Sequence, residues 1–170
     1  MINLKTFPVP QESAGVDFYK VVPDSDSMET PPALFKAISK YFGGFGIDAA
    51  ATIDNTKAYL CYVNGLINDW VSPHHAGDNV WCNPPYSQPA IWVEKAHKEV
   101  HTRRTTSLAV LLLRFDPSTK LWRDYAHKAQ TIYLLTERRI RFIGRWYKPD
   151  GTLTKNTVSY CPHMLMEFRR

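Results

Sequence analysis

The apolar positions of the chain fall into two periods. Leu34, Phe35, Ile38 and Phe42 recur at helical spacing, after Thr30-Pro31-Pro32 and before Gly43-Gly44. A threonine hydroxyl can accept from the free N–H groups of a first turn, and proline fits the first helical position, where no N–H is needed. This predicts a helix opened by Thr30 and Pro31 and closed at the glycine pair. FGIDAAA (45–51) predicts a short buried strand that reaches Asp48 and turns. Residues 52–78 lack a period and are punctuated by Asn55, Asn64, Gly65, Asn68 and Pro73. Residues 78–81 read as a short strand, and Pro89 opens a second helix with Ile91, Trp92, Lys95, Ala96 and Glu99 on a half-buried face. SLAVLLL (107–113) is apolar throughout, the pattern of a central strand covered on both faces. A helix over 118–129, a strand over 131–135 and late strands at 141–143 and 163–166 follow, with a turn at Pro149-Asp150-Gly151 between the last two. Strands alternating with helices predict an open α/β sheet in a compact single domain. Residues 1–28 hold Pro8, Pro10 and Pro23 without periodicity and read as an arm or extension, leaving 29–170 as the domain.

Composition narrows the class. A chain of 170 residues fits one domain, and 44% hydrophobic residues supply a core. The net charge of +5 favours a polyanionic partner without requiring one. Three widely spaced cysteines with no C-x-x-C pair argue against a disulfide framework or a zinc knuckle and fit a reducing cytoplasm. No apolar run approaches eighteen residues, and the first fifteen lack the apolar core of a secretion signal.

The chemistry concentrates in WCNPPYS (81–87), at the end of a predicted strand, where open α/β sheets place their sites. The Asn83 amide oxygen accepts hydrogen bonds. Pro84 and Pro85 supply carbonyls without competing N–H donors and fix φ, so the acceptors are held in place. Tyr86 offers a flat face for stacking. Such a set suits an exocyclic amine on a planar ring. Two acceptors on its hydrogens favour pyramidal geometry and aim the lone pair at an activated methyl group, with no strong base needed first. The same four residues also suit an ordinary proline turn.

Other patterns have two readings each. Arg138, Arg139, Arg141, Arg145 and Lys148 interleave with Ile140, Phe142, Trp146 and Tyr147. Period-two alternation puts the charges on one strand face, as a phosphate-binding surface or as a solvated edge that discourages aggregation. Arg103-Arg104 at a helix end reads as dipole compensation. His97 and His101 have a metal-compatible spacing but no evident third ligand, and read as solvated. Cys82 reads as a buried structural thiol.

With these residues in hand, the chain resembles the small phage-type DNA N6-adenine methyltransferases, the Dam-like family, over about residues 28–168. ETPPALFKAI (29–38), FGIDAAAT (45–52) with Asn55, Lys57 and Tyr59, VWCNPPYS (80–87) with IWVEKA (91–96), and CPHMLMEF (161–168) carry the resemblance. It implies a Rossmann-like fold, S-adenosylmethionine as methyl donor, no metal, and adenine in double-stranded DNA as acceptor, in the cytoplasm of a bacterial host. A phage would use the mark to evade restriction or alter host gene control.

By position, the resemblance puts Thr30, Pro31, Asp48 and Ala49 by the cofactor and Asp69-Trp70 at its adenosine end. Asn83, Pro84 and Pro85 would hold the target amine, and Tyr86 would stack on a base flipped from the duplex. Arg114, Lys120, Arg138, Arg139, Arg141, Arg145 and Lys148 would contact DNA. The chain departs from the family pattern at Asn64-Gly65, where an aspartate-glycine pair is common, and at Arg114–Ser118, where a Pro-Ala-Arg-like run is usual. Two rivals stand beside this reading: another acceptor (cytosine N4, RNA adenine or protein glutamine), and a decayed methyltransferase scaffold that only binds DNA.

Overall fold

The computed structural model describes residues 1–11, 26, 28–62, 64–71, 79–147, 153–158 and 161–170. Its strands in chain order are β1 (Leu4–Pro8), β2 (Ile47–Asp48), β3 (Leu60–Cys61), β4 (Val80–Cys82), β5 (Leu108–Arg114), β6 (Thr131–Thr136), β7 (Arg141–Tyr147), β8 (Leu153–Val158) and β9 (His163–Arg169). Seven of them form one sheet in the order β1-β6-β9-β5-β4-β2-β3, while β7 and β8 form a separate antiparallel pair. The large sheet is parallel except for β9, which runs against both β5 and β6.

Strand β5 is central, as its unbroken apolar run predicts. Ala109, Leu111 and Leu113 join one core with Trp92, Val93 and Ala96 of helix α2 (Pro89–His97). Leu108, Val110 and Leu112 join the opposite core with Leu34, Ile38 and Phe42 of helix α1 (Pro32–Phe42). Eleven residues make a marginal helix in water, so α1 depends on this buried face. Gly43 closes it at φ 81°, and the Asn79 side-chain amide donates to the carbonyls of Phe42 and Gly44, tying the helix end to β4.

Four expectations need correction. Leu4–Pro8 does not trail as an arm; it pairs in parallel with β6 as the sheet edge. Helix α1 starts at Pro32, with Pro31 in extended conformation at the cap position and Thr30 outside it. Proline at the first position removes one free N–H, so the first turn has less need of a capping side chain. Ile91 is exposed, and the buried face of α2 is Trp92, Val93 and Ala96, continuing through a π-helical turn (Lys98–Arg103) to Glu99. The region expected to be helical over 118–129 is a short α3 (Lys120–Tyr125), capped by the Thr119 hydroxyl, and a 3₁₀ turn (Ala126–Lys128). The Pro149–Gly151 turn lies outside the described residues. No helix among the described residues is long and apolar enough to cross a membrane.

The topology positions the site. Strand β2 has β3 on one side and β4 on the other, all parallel, so a crevice opens where the chain leaves β2 and β4. Carboxyl ends at such a switch point are where open α/β sheets bind ligands.

Candidate active site

Asp48 ends β2 and Asn83 follows β4, so both enter that crevice. They line a cavity of about 40 Å³ together with Thr30, Ala50, Asn55 and Lys57. A groove of about 700 Å³ between β1 and α1 is much larger, but it lies toward the other edge of the sheet and shares no lining residue with this cavity. Convergent polar chemistry, not size, locates the site.

Asp48 is buried. Desolvation raises its pKa from the ordinary 3.8 to about 6, although the backbone N–H groups of Lys57 (3.0 Å) and Ala50 (3.4 Å) donate to its carboxylate. The Lys57 ammonium turns away, to Glu29 at 3.3 Å and to the Asn55 carbonyl at 3.0 Å. Asn83 donates through Nδ2 to the carbonyl oxygen of Met28 at 2.8 Å. A carbonyl can only accept, which fixes the amide nitrogen there and turns Oδ1 the other way. That oxygen is buried and has no partner among the described residues, and neither has the buried Thr30 hydroxyl. An unmet buried acceptor costs roughly 1–3 kcal/mol. Two such polar atoms lining one cavity are what a site for a polar ligand requires.

Residues 28–30 reach this position through long-range pairing. Glu29 exchanges two backbone hydrogen bonds with Ile143 of β7, at 2.8 and 3.0 Å. The contact to Met28 is therefore supported by β7, and no side-chain pattern announces it.

Pro84 is buried and Pro85 half-buried, and Tyr86 lies beside the cavity, not in its lining. The Tyr86 ring meets Phe142 edge-on at 6.0 Å and His163 at 5.7 Å, and the Arg114 guanidinium covers it at 4.6 Å. Burial pushes the Tyr86 phenol well above its usual range and holds His163 down at about 3, so both are neutral near pH 7. Ser87 donates its backbone N–H to the Asp26 carboxylate at 2.8 Å, which ties the turn after β4 to the segment before α1. Cys82 is fully buried and its thiol is pushed up by desolvation, as a structural thiol requires.

Gly65 has a definite role. A Cβ there would stand 1.9 Å from the Ala49 carbonyl oxygen, so only glycine lets this turn lie against the chain leaving β2. Ala49 is thus buried beneath the turn, and Pro31 is buried just outside the cavity.

Asp69 and Trp70 are not brought to the crevice. Trp70 is fully buried, donating its backbone N–H to Glu99 and its indole N–H to the Gly65 carbonyl. Asp69 ion-pairs with Arg103, which also reaches Glu99 at 3.6 Å, and Lys95 binds Glu99 at 2.6 Å. This network pairs the buried Glu99 carboxylate with two cations and packs the 64–71 turn on α2. Arg103 thus has specific partners at its helix end, and Arg104 takes the left-handed cap conformation at φ 60°. The His97 and His101 rings lie 4.8 Å apart, and the described residues hold no group of three or more potential ligands for a metal.

The basic residues divide. Arg138 and Arg139 are exposed but precede β7, and Arg141 is half-buried on it. The alternation holds through Ile140 and Phe142, both buried. A register shift between Phe142 and Arg145 interrupts a single regular face. Lys120 is exposed at the start of α3. The Arg145 side chain and Lys148 lie outside what is described.

The family model for DNA N-6-adenine-methyltransferase (Dam) matches residues 20–166. The chain is 34% identical over 125 residues to a DNA N-6-adenine-methyltransferase of Haemophilus phage HP1 (strain HP1c1), covering 71% of the chain and 68% of the relative. It is 31% identical over 132 residues to a DNA N-6-adenine-methyltransferase of Escherichia phage T1, covering 75% of the chain and 52% of the relative. No solved structure matches the chain.

Proposed function

The chain belongs to the DNA N-6-adenine-methyltransferase (Dam) family, and from there we propose how its own residues transfer a methyl group to the N6 amine of adenine in DNA. Asn83 Oδ1 and the Pro84 carbonyl hold the amine, Tyr86 receives the flipped base, and Asp48 and Thr30 bind the donor, S-adenosylmethionine. The observation that carries this is Asn83: its nitrogen is anchored on Met28 and its oxygen is a buried acceptor without a partner among the described residues.

The donor set fits the cofactor's charged end. A buried carboxylate and an unpartnered hydroxyl suit an amino-acid moiety, and about 40 Å³ admits one end of the molecule, against the ~300 Å³ or more of a full ligand pocket. When bound, the cofactor supplies an electrophilic sulfonium methyl. Asn83 Oδ1 and the Pro84 carbonyl would accept the two amine hydrogens, so that the nitrogen lone pair points outward without prior deprotonation. As the N–C bond forms the S–C bond would break, S-adenosylhomocysteine would leave, and the methylated amine would give one proton to solvent. The buried Cys82 stays a thiol and adds no thiolate to compete for the methyl group, and the neutral His163 adds no charge. The largely parallel sheet, covered by helices on both faces, supports a Rossmann-like reading. Residues 29–170 form the catalytic domain in this reading, with β1 adding a strand from the preceding segment.

Incubation with tritiated S-adenosylmethionine and DNA free of adenine methylation is expected to place label in N6-methyladenine. Label in cytosine, or none, would overturn the assignment.

Asp48 predicts a pH dependence. Its raised pKa means that protonation stabilises the free protein: this contribution is full below about 3.8 and is lost as pH rises through about 6. Pairing with the cofactor ammonium needs the ionised form, so affinity moves the opposite way. It should be flat above about pH 7 and weaken by about tenfold per unit well below pH 6. Asp48→Asn should bind weakly with no such trend. Calorimetry across this range checks it, and a pH-independent wild type would remove Asp48 from the cofactor site.

The arginines before and on β7 predict a salt dependence. Replacing Arg139 and Arg141 with glutamine should weaken DNA binding across sequences and reduce the slope of log K against log salt by roughly 1.8, about 0.9 per phosphate contact. An unchanged slope would leave them as a solvated edge.

A further inference from the structure

Arg114 is the last residue of β5, and it is exposed. β4 and β5 are parallel with Cys82 opposite Leu111, so the chain after β4 and the end of β5 emerge at the same edge. There the guanidinium lies 4.6 Å from the centre of the Tyr86 ring. Arg114 makes no ion pair among the described residues, so its placement is set by the ring, with the Asp26 carboxylate adding attraction. The other ring neighbours, Phe142 and His163, are buried. Of these three described ring neighbours Arg114 alone is exposed, so a base arriving from DNA would enter on the Arg114 side.

We propose that Arg114 is the second jaw of a base clamp: the flipped adenine inserts between Tyr86 and the Arg114 guanidinium, which then stacks on the far face of the base. The inference rests on Tyr86 being the base platform. An adenine is one stacking layer thick, roughly 3.4 Å, a displacement that an exposed arginine reaches by rotamer change. Leaving the ring altogether would forfeit the cation–π contact, whereas rising with the base exchanges it for a stack on the nucleobase, which planar guanidinium groups make.

The test is a double-mutant cycle, read as kcat/KM for methylation of bacterial DNA free of adenine methylation. Arg114→Ala should lose about tenfold, and Arg114→Lys nearly as much, because an ammonium is not a planar group that lies flat on a ring. In a Tyr86→Leu background the Arg114→Ala loss should shrink to within about twofold, since the partners are coupled. Cofactor affinity of each variant, by calorimetry, should stay at the wild-type value, which confirms folding. Rescue by lysine, an undiminished loss in Tyr86→Leu, or a salt slope of DNA binding reduced by about 1 would make Arg114 a phosphate contact and overturn the clamp alone. A wild type that does not methylate adenine, or a Tyr86→Leu variant with full activity, would overturn the underlying reading of Tyr86 and the clamp with it.

Discussion

Asn83→Ala should lower methyl transfer to adenine by about 10²–10³, the usual loss when one preorganised polar contact to the reacting group is removed. Affinity for S-adenosylmethionine should change by no more than about twofold, since Asn83 contributes to the cavity wall but Asp48 carries the charge. The two effects separate because the amide's roles separate. Nδ2 is spent on the Met28 carbonyl, and Oδ1 is left for the substrate. Asn83→Asp should recover only part of the rate: its second carboxylate oxygen would face the Met28 carbonyl, two acceptors with no proton between them. Single-turnover rates with saturating cofactor, beside calorimetric affinities, make the measurement. A rate within tenfold of wild type in Asn83→Ala would remove Asn83 from the chemistry.

Gly65→Ala should act on the same site from outside it. The added methyl would meet the Ala49 carbonyl oxygen at 1.9 Å and the Trp92 ring at 3.1 Å, backbone on one side and a buried indole on the other. Neither is the free end of a flexible side chain, so the turn must lift. Lifting it strains the buried hydrogen bond from the Trp70 indole to the Gly65 carbonyl. It also disturbs the Ala49-Ala50 backbone, whose next N–H donates to Asp48. We expect a loss of roughly 2–3 kcal/mol, as for overpacked cores, and a melting temperature lower by roughly 5–10 °C. Cofactor binding should weaken along with it. Thermal unfolding and calorimetry on one preparation decide the matter, and an unchanged melting temperature would mean that the turn lifts without cost.

Much of the frame could be read from local patterns. The 107–113 run is apolar at successive positions, and only a strand covered on both faces buries alternate residues against two layers, as Leu111 and Leu112 are buried. The spacing of Leu34, Ile38 and Phe42, with glycine after them, defined α1 to within one residue at its start. A strand ending at Asp48 and another ending before Asn83 were legible for the same reason: short apolar runs stopped by turn residues. Edge strand β1 was not. Only Phe7 of its five residues is buried, so its signal lies in backbone hydrogen bonds to β6 and not in its side chains.

The site divides along the same line. The sequence by itself determined which chemical groups stand at the ends of β2 and β4, because composition and turn chemistry are local. Tertiary structure alone decided how those groups are used. Asp69 and Trp70 look like ligand contacts in the sequence, but a buried Glu99 nearly thirty positions away claims Trp70, with Arg103 claiming Asp69. Thr30 looks like a helix cap, but its hydroxyl is buried in the cavity lining. Asn83 presents its oxygen because a backbone carbonyl from Met28 crosses to hold its nitrogen, and Tyr86 carries Arg114 because parallel pairing brings two strand ends together. Each of these contacts joins atoms far apart in the chain. Their partners follow from strand order and register, which no local period encodes.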